Sequence, residues 1–229
     1  MDLKEFEGID PATHWYYQSK VIPFIEYTEK YAPAATKIID VGAGSGFFAK
    51  SVCDVLPKSH GICIDPNYEP DLLGTRENLT FELQVENKKA DVYIFADVLE
   101  HVENDLDLLI SYTDLAQSGS LVLISVPAFQ KLWSGHDVFL EHYRRYNLND
   151  LEKIVAAAGL EIIEKRYLFP SLFPVALIKR KFFKNRDTSD MVNIPKLPNL
   201  LMSMYFRAET LLFINRRFGL SVFIAATKR

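Results

Sequence analysis

The chain has 229 residues, of which 48% are hydrophobic, and carries a formal net charge of −4. This composition argues against intrinsic disorder and provides no overall basic surface for nucleic acid. The charged N-terminus predicts no signal peptide, and no apolar run approaches the roughly 20 residues that cross a bilayer. Because Cys53 and Cys63 fall in predicted core elements, buried thiols and a cytoplasmic location are expected.

Residues 1–35 are predicted to form helices that cover the mouth of the site as a lid. Asp10 and Pro11 are typical of a helix start, and apolar residues recur at helical spacing from residue 21 onwards. The aromatic side chains of Trp15 and Tyr16 are candidates for acceptor binding. The alternative is that they only fill the flank of the sheet.

A strand, a tight turn and a helix start are predicted over residues 38–50. Glycine at every second position of the turn allows positive φ and close approach of a ligand. The pattern is Gly-x-Gly-x-Gly, which differs from the Gly-x-Gly-x-x-Gly of dinucleotide sites. Asp40, at the strand end, would repel a pyrophosphate but can hold an amino group.

The segment Asp40–Gly46 resembles the first motif of class I S-adenosylmethionine-dependent methyltransferases. In that family the glycine turn lies against the amino-acid end of the cofactor. The resemblance implies S-adenosylmethionine as the cofactor. It implies cofactor contacts from Asp40, Gly42, Ala43 and Gly44. A glycine-rich turn without a ligand is the alternative.

A second strand, residues 61–65, is predicted to end in a cofactor-binding carboxylate. Asp65 and Pro66 follow the glycines by about 20 residues, the spacing at which an acidic residue reaches ribose hydroxyls. A carboxylate there accepts a hydrogen bond from each hydroxyl and selects against a 2′-phosphate. The alternative is a helix cap or a loop charge.

The next strands are predicted at 79–84, an edge strand after a loop or short helix, and at 90–96, a fully buried strand. The segment that follows, 97–102, resembles the part of the family's fold that turns over the cofactor sulfonium. The resemblance implies cofactor contacts from Asp97 and Val98. Glu100 and His101 are expected to orient the loop.

Strands alternate with helical segments through residue 126, which predicts a doubly wound α/β sheet. The expected fold is a Rossmann-like, seven-stranded, mostly parallel sheet in residues 1–229, one methyltransferase domain. In the resembled fold the last strand, here 220–227, inserts antiparallel between the fifth (121–126) and the sixth (160–168). A helical insertion is predicted at 169–217.

The loop after the fifth strand carries the predicted chemistry, because loops at this edge hold substrate residues in such folds. His136 is the first candidate for a general base, with Asp137 orienting it, and His142 is the second. The predicted acceptor-binding residues here are Trp133, Arg144, Arg145 and Tyr146. Alternatively, both histidines pin the loop and the arginines pair with Asp137, Glu141 or Asp150.

The segment 126–146 resembles a bacterial subgroup of these methyltransferases, found among polysaccharide, lipid-linked sugar and natural-product pathways. No compact group of His, Asp and Glu with metal-ligand spacing stands out, so no metal is expected. The apolar and then basic stretch 169–186 is a candidate for contact with an anionic membrane face or a partner protein. A helix near 200–216 is predicted as a lid or a homodimer contact. An ordinary helix with a solvated basic face is the alternative.

The predicted function is methyl transfer from S-adenosylmethionine to oxygen, on a hydroxyl or carboxylate of a hydrophobic natural product or lipid-linked sugar intermediate. One rival is a nicotinamide-dependent oxidoreductase, which the glycine spacing and Asp40 disfavour. The other is a non-catalytic interaction module on the same fold. Methylation of nucleic acid lacks both a basic surface and an Asn/Asp-Pro-Pro-Tyr motif.

Overall fold

A central β-sheet organises the computed structural model, which describes residues 9–87, 89–182, 193–212 and 215–229. The strands in these ranges are β1 Lys37–Val41, β2 His60–Ile64, β3 Gly74–Arg76, β4 Leu79–Glu82, β5 Val92–Ala96, β6 Leu121–Pro127, β7 Leu160–Leu168 and β8 Ser221–Lys228. The helices are α1 Trp15–Lys20, α2 Ile22–Tyr31, α3 Phe47–Val55, α4 Asp105–Thr113, α5 Gly135–Phe139, α6 Leu148–Ala157, α7 Leu172–Phe182 and α8 Lys196–Leu212. The strand order is β3-β4-β2-β1-β5-β6-β8-β7.

The middle strands are parallel, and their carboxyl ends meet at one edge of the sheet. Val41 of β1 pairs in register with Ile64 of β2 and with Phe95 of β5. Ala96 of β5 pairs in turn with Ser125 of β6. The segments that leave these strands therefore emerge side by side, as in other open parallel sheets with ligand sites at this edge.

Two apolar layers cover the two faces of the sheet. One layer packs α1, α2, α3 and α8 against alternate strand residues, and it contains the free thiols of Cys53 and Cys63 as expected. The other layer packs α4 and α6 against the intervening strand residues. Burial on both faces explains the near-continuous apolar runs of the central strands, and it confirms the doubly wound Rossmann-like architecture.

The sheet has eight strands in the described residues, so the predicted count of seven is too low by one. β3 forms an antiparallel hairpin with β4 and takes the edge position predicted for the latter. Its three residues are exposed and polar, so neither alternation nor burial marks them as a strand. The placement of the last strand is confirmed, because β8 lies antiparallel between β6 and β7.

The N-terminal helices begin later than predicted. Asp10 accepts a hydrogen bond from the Ala12 N–H in a turn, and α1 starts only at Trp15, after an N-cap at His14. Residues 1–8 of the predicted lid lie outside the described residues. α1 packs on α8, where the Trp15 and Phe206 rings lie 4.7 Å apart and the backbone N–H of Trp15 donates to the Asn199 side-chain oxygen.

The insertion before β8 is helical, as predicted, in its described parts α7 and α8. α8 exposes large apolar side chains that nothing in the described chain covers, namely Leu197, Leu200, Leu201, Met204, Tyr205, Leu211 and Leu212. The predicted homodimer contact on this helix stays a prediction. Residues 183–186 of the predicted membrane or partner contact lie outside the described residues. Within the described ranges, no helix combines the length and apolar character that spanning a membrane requires.

Candidate active site

The glycine turn after β1 has the backbone conformation that its sequence requires. Gly42, Gly44 and Gly46 have φ values of 64°, 54° and 75°, which a side chain would strain. The Ala43 N–H donates to the Ile64 carbonyl at 3.0 Å, which ties the turn to the end of β2. Gly46 is the N-cap of α3, and the positive end of a helix dipole favours an anionic group nearby.

Asp65 holds this turn from the neighbouring strand. Its carboxylate accepts hydrogen bonds from the Gly44 N–H at 3.2 Å and from the Asn67 N–H at 3.0 Å. The residue is only 4% exposed, yet it lines an open crevice together with Gly42 and Pro66. The carboxylate is thus fixed on the crevice wall, where the sequence predicted a ribose contact.

Asp40 lies beneath the turn rather than on the crevice wall. It is 1% exposed, and its carboxylate accepts a hydrogen bond from the Ala49 N–H of α3 at 3.1 Å. Burial raises the pKa of Asp40 to about 7. The predicted direct contact between Asp40 and the cofactor is therefore corrected, because this carboxylate anchors the helix that follows the turn.

The crevice beside the turn has a volume of about 1070 Å³. Val98 lines it, as expected for a cofactor contact. Trp133 also lines it, and its predicted contact with the acceptor stays a prediction. Leu83 and Tyr143 also line it, and the sequence predicted neither residue as part of the site. The apolar Leu83 directly after β4 was a usable signal.

A second cavity of about 340 Å³ adjoins the crevice. Five of the predicted catalytic and acceptor residues line it, namely Trp15, Tyr16, His136, His142 and Arg145. α7 closes another side with Leu172, Val175 and Ala176. His101, Leu140 and His142 line both spaces, so these three side chains form the wall between crevice and cavity.

Asp137 holds His142, one of the three residues of this wall, in place. Its fully buried carboxylate accepts hydrogen bonds from His142 Nδ1 at 3.0 Å, Arg145 Nε at 2.5 Å and the Ser134 N–H at 2.8 Å. Burial alone would raise the pKa of Asp137, but the bonds from His142 and Arg145 hold it well below its usual range. The predicted pairing of Asp137 with His136 is corrected, since the contacts of this carboxylate join it to His142.

Arg144, Arg145 and Tyr146, which were predicted to bind the acceptor together, bond to two different carboxylates. Arg145 is bonded to Asp137 and lines the cavity. Arg144 instead donates to Asp105 at 3.2 Å, and the buried Tyr146 hydroxyl donates to the same carboxylate at 2.8 Å. Arg144 and Tyr146 thus stabilise the fold of the loop, which corrects their predicted contact with an acceptor.

The sequence did not predict a buried ion pair that lies at the cavity wall. Lys20 is 1% exposed and donates to the Asp97 carboxylate and to the Tyr16 hydroxyl. Burial would lower the pKa of Lys20, but Asp97 and Tyr16 outweigh it and raise the pKa above its usual value. Asp97 lines the second cavity and is engaged by Lys20, and its predicted contact with the cofactor stays a prediction.

Glu100 faces the same cavity from the short 3₁₀ turn Leu99–His101. It is 1% exposed, and neither carboxylate oxygen has a hydrogen-bond partner in the described part of the chain. Burial and then the charge of Asp97 raise the pKa of Glu100 well above its ordinary value. The Tyr143 N–H donates to the Glu100 carbonyl at 2.7 Å, which joins this turn to the loop that carries His142.

The family of the chain follows from residues 13–165, which match the model of a methyltransferase domain. The chain belongs to this methyltransferase family. Its cofactor is S-adenosylmethionine, and the crevice fits that molecule. The turn around Gly42 leaves the backbone bare, Asp65 offers a fixed carboxylate for ribose hydroxyls, and Leu83 offers an apolar contact for the base.

Solved structures with the same fold are methyltransferases at low identity. The plantazolicin methyltransferase BpumL in complex with a monoazolic desmethylPZN analogue and S-adenosylhomocysteine has a TM-score of 0.61 and 14% identity, over 99% of this chain and 88% of that one. A methyltransferase from Archaeoglobus fulgidus has a TM-score of 0.53 and 17% identity, over 92% and 94%. The mitomycin 7-O-methyltransferase MmcR has a TM-score of 0.54 and 12% identity, over 93% of this chain but only 53% of its own. No curated protein matches the chain.

The buried Asp40 predicts a pH-dependent stability difference. Its folded pKa of about 7 exceeds its ordinary value of 3.8, so the folded state holds a proton that the unfolded state releases between these pH values. Asp40 therefore costs stability as the pH rises through that window. For Asp40→Asn, the free energy of unfolding relative to wild type should increase by about 2–4 kcal/mol from pH 4.5 to pH 8. Urea titrations at both pH values measure it, and a constant difference would contradict the buried placement.

Asp65 should matter for cofactor affinity. Loss of its carboxylate removes hydrogen bonds to a charged group, each of which contributes about 1.5–3 kcal/mol. Asp65→Ala should weaken binding of S-adenosylhomocysteine at least about 30-fold in calorimetry. Asp71→Ala, an exposed acid in the same loop, is the matched control and should bind normally. Equal affinity of the Asp65 variant and wild type would remove this residue from the cofactor site.

Proposed function

We propose that this methyltransferase transfers the methyl group to an oxygen of a small-molecule acceptor. The acceptor would be a hydroxyl or carboxylate of a hydrophobic natural product or of a lipid-linked sugar intermediate. The observation that carries the proposal is the histidine-lined cavity, which adjoins the cofactor crevice through the shared side chains His101, Leu140 and His142.

The composition of the cavity supports this acceptor class. Its volume of about 340 Å³ falls within the range of small-molecule sites, about 300–1000 Å³. Trp15, Leu132 and Leu172 supply apolar walls for a hydrophobic body. Lys179 and Arg180 of α7 supply positive charge for an acidic group of the acceptor.

The reaction requires alignment and removal of one proton. A lone pair of the acceptor oxygen forms the new C–O bond as the methyl carbon leaves the sulfonium, and the electrons of the broken C–S bond remain on sulfur. Holding these atoms in line can contribute several kcal/mol. His136 lines the cavity and is our candidate to accept the hydroxyl proton, because histidine is suited to this at neutral pH.

A carboxylate acceptor would need no base. In that case a clamp of basic side chains, to which Lys179 and Arg180 contribute, suffices to orient the acceptor. One of the structurally similar enzymes has a name that agrees with transfer to oxygen, the mitomycin 7-O-methyltransferase MmcR.

Removal of the candidate base gives the first test. His136→Ala should lower turnover of a hydroxyl acceptor about 100-fold, as expected for loss of a general base, while leaving the affinity for S-adenosylhomocysteine unchanged. Product mass and initial rates measure the effect. His60→Ala, at the amino end of β2, is the matched control and should keep full turnover. Near-normal turnover in His136→Ala would remove this histidine from the mechanism.

We further propose that the enzyme is cytoplasmic and meets a lipid-linked acceptor at the inner face of the membrane. The free thiols Cys53 and Cys63 agree with this compartment. α7 exposes Val175 and Ile178 next to Lys179 and Arg180, and the sequence continues with more basic residues. Apolar side chains beside positive charge are suited to an anionic lipid surface.

Vesicle flotation tests this location. Wild type should float with anionic vesicles at low salt, and Ile178→Asp should reduce the floated fraction several-fold because it places a negative charge at the lipid surface. Leu115→Asp changes an equally exposed leucine after α4 and serves as the matched control. Failure of wild type to float would reject membrane contact.

A further inference from the structure

We propose that Glu100, His101 and His142 bind a divalent transition-metal ion in the wall between the crevice and the acceptor cavity. Each of the three residues offers one ligand atom, and these atoms all lie within 4.8 Å of one another. The sequence predicted no metal, because His142 is distant from the other two residues in the chain. Only the folded loop brings them together.

The carboxylate of Glu100 is the strongest indication of a ligand. It is 1% exposed, and both oxygens lack hydrogen-bond partners among the described residues. Buried polar atoms are nearly always satisfied, because an unpaired one costs free energy. Its neighbours in the cluster are two imidazoles, so a cation bound among these groups would satisfy the carboxylate.

His142 is already oriented as metal-binding histidines are. Its Nδ1 lies 3.0 Å from an oxygen of Asp137, an ionised carboxylate that only accepts hydrogen bonds. Nδ1 therefore carries the proton, and a neutral His142 has its lone pair on Nε2. A carboxylate that holds the far nitrogen in this way fixes the ring and strengthens its metal bond.

Two further contacts fix the relative position of the ligands. The Tyr143 N–H donates to the Glu100 carbonyl at 2.7 Å, next to His142 in the chain. The rings of His101 and His142 lie edge to face with centroids 4.6 Å apart. Bonds of about 2.1 Å in a tetrahedral site place ligand atoms about 3.4 Å apart, so metal binding requires only small side-chain rotations.

The set of ligands selects the class of metal. Two imidazoles and one carboxylate suit Zn²⁺, Fe²⁺ or Co²⁺, whereas Mg²⁺ and Ca²⁺ prefer oxygen ligands. Three protein ligands leave at least one coordination position open. All three residues line the acceptor cavity, so a bound acceptor oxygen can occupy that position.

The catalytic consequence rests on the proposed oxygen methylation. A metal-bound hydroxyl loses its proton more readily, and the resulting oxygen anion is the stronger nucleophile. The proton passes to His136, the oxygen lone pair forms the bond to the methyl carbon, and the C–S electrons stay on sulfur. His142 then acts as a ligand, and this leaves His136 as the base.

Metal binding is tested directly on the tag-free full chain after treatment with a chelator. Titration with Co²⁺ should give visible absorption bands of low-symmetry cobalt that saturate at one equivalent, and Zn²⁺ should displace them. Glu100→Gln and His142→Ala should each weaken binding at least 10-fold, and so should Asp137→Asn through the orientation of His142. His60→Ala, a histidine outside the cluster, should bind as wild type does.

A wild-type protein that binds neither metal would overturn the proposal, whatever the folding of the variants. Binding that survives in folded Glu100→Gln and His142→Ala would overturn this assignment of the ligands. If the protein binds one equivalent of metal but its turnover is unchanged after chelation, the catalytic step is wrong and the metal site remains supported. If the protein binds metal but methylates no oxygen acceptor, the proposed function is wrong and the metal site remains supported.

Discussion

The fully buried carboxylate of Asp137 is the interaction on which the candidate site depends. A buried charge is stable only when its partners are well placed, and removal of one partner is strongly destabilising. Asp137 meets this condition with His142, Arg145 and the Ser134 backbone. These contacts hold the loop after β6 in an arrangement in which His142 and Arg145 both line the second cavity.

The second constraint is the parallel sheet, which aligns the ends of β1, β2, β5 and β6 at one edge. The first two strands lead into the glycine turn and Asp65, which line the crevice. The other two lead into the segments that carry Glu100 and His142. The loop held by Asp137 thus lies over this edge of the sheet, and His101, Leu140 and His142 separate the crevice from the second cavity.

Local patterns in the sequence predicted the sheet and placed a glycine turn and an acidic residue at the ends of neighbouring strands. The glycine turn, the carboxylate of Asp65 and the antiparallel last strand depend on short-range signals or on family resemblance. β3 was missed because three exposed polar residues carry no periodicity. Lys20 was missed because one lysine in a short helix gives no sign that it is buried against Asp97.

The sequence could not predict which side chains bond to one another across the fold. His136 and Asp137 are neighbours in the chain, but successive residues of a helix point in different directions, so their pairing was wrong. Asp137 accepts hydrogen bonds from His142 and Arg145, which follow it after a turn of the chain. Asp105, in the distant helix α4, accepts hydrogen bonds from Arg144 and Tyr146. The grouping of Glu100 with two histidines has the same origin in tertiary structure.

We propose that the cofactor crevice opens on the acceptor cavity at the wall of His101, Leu140 and His142. A crystal structure with bound S-adenosylhomocysteine would show this arrangement. We expect the ribose to lie on Asp65, the amino-acid end to lie along the turn at Gly42, and the sulfur to face this wall. A sulfur atom that points away from the wall, with the cavity closed off behind it, would rule the arrangement out.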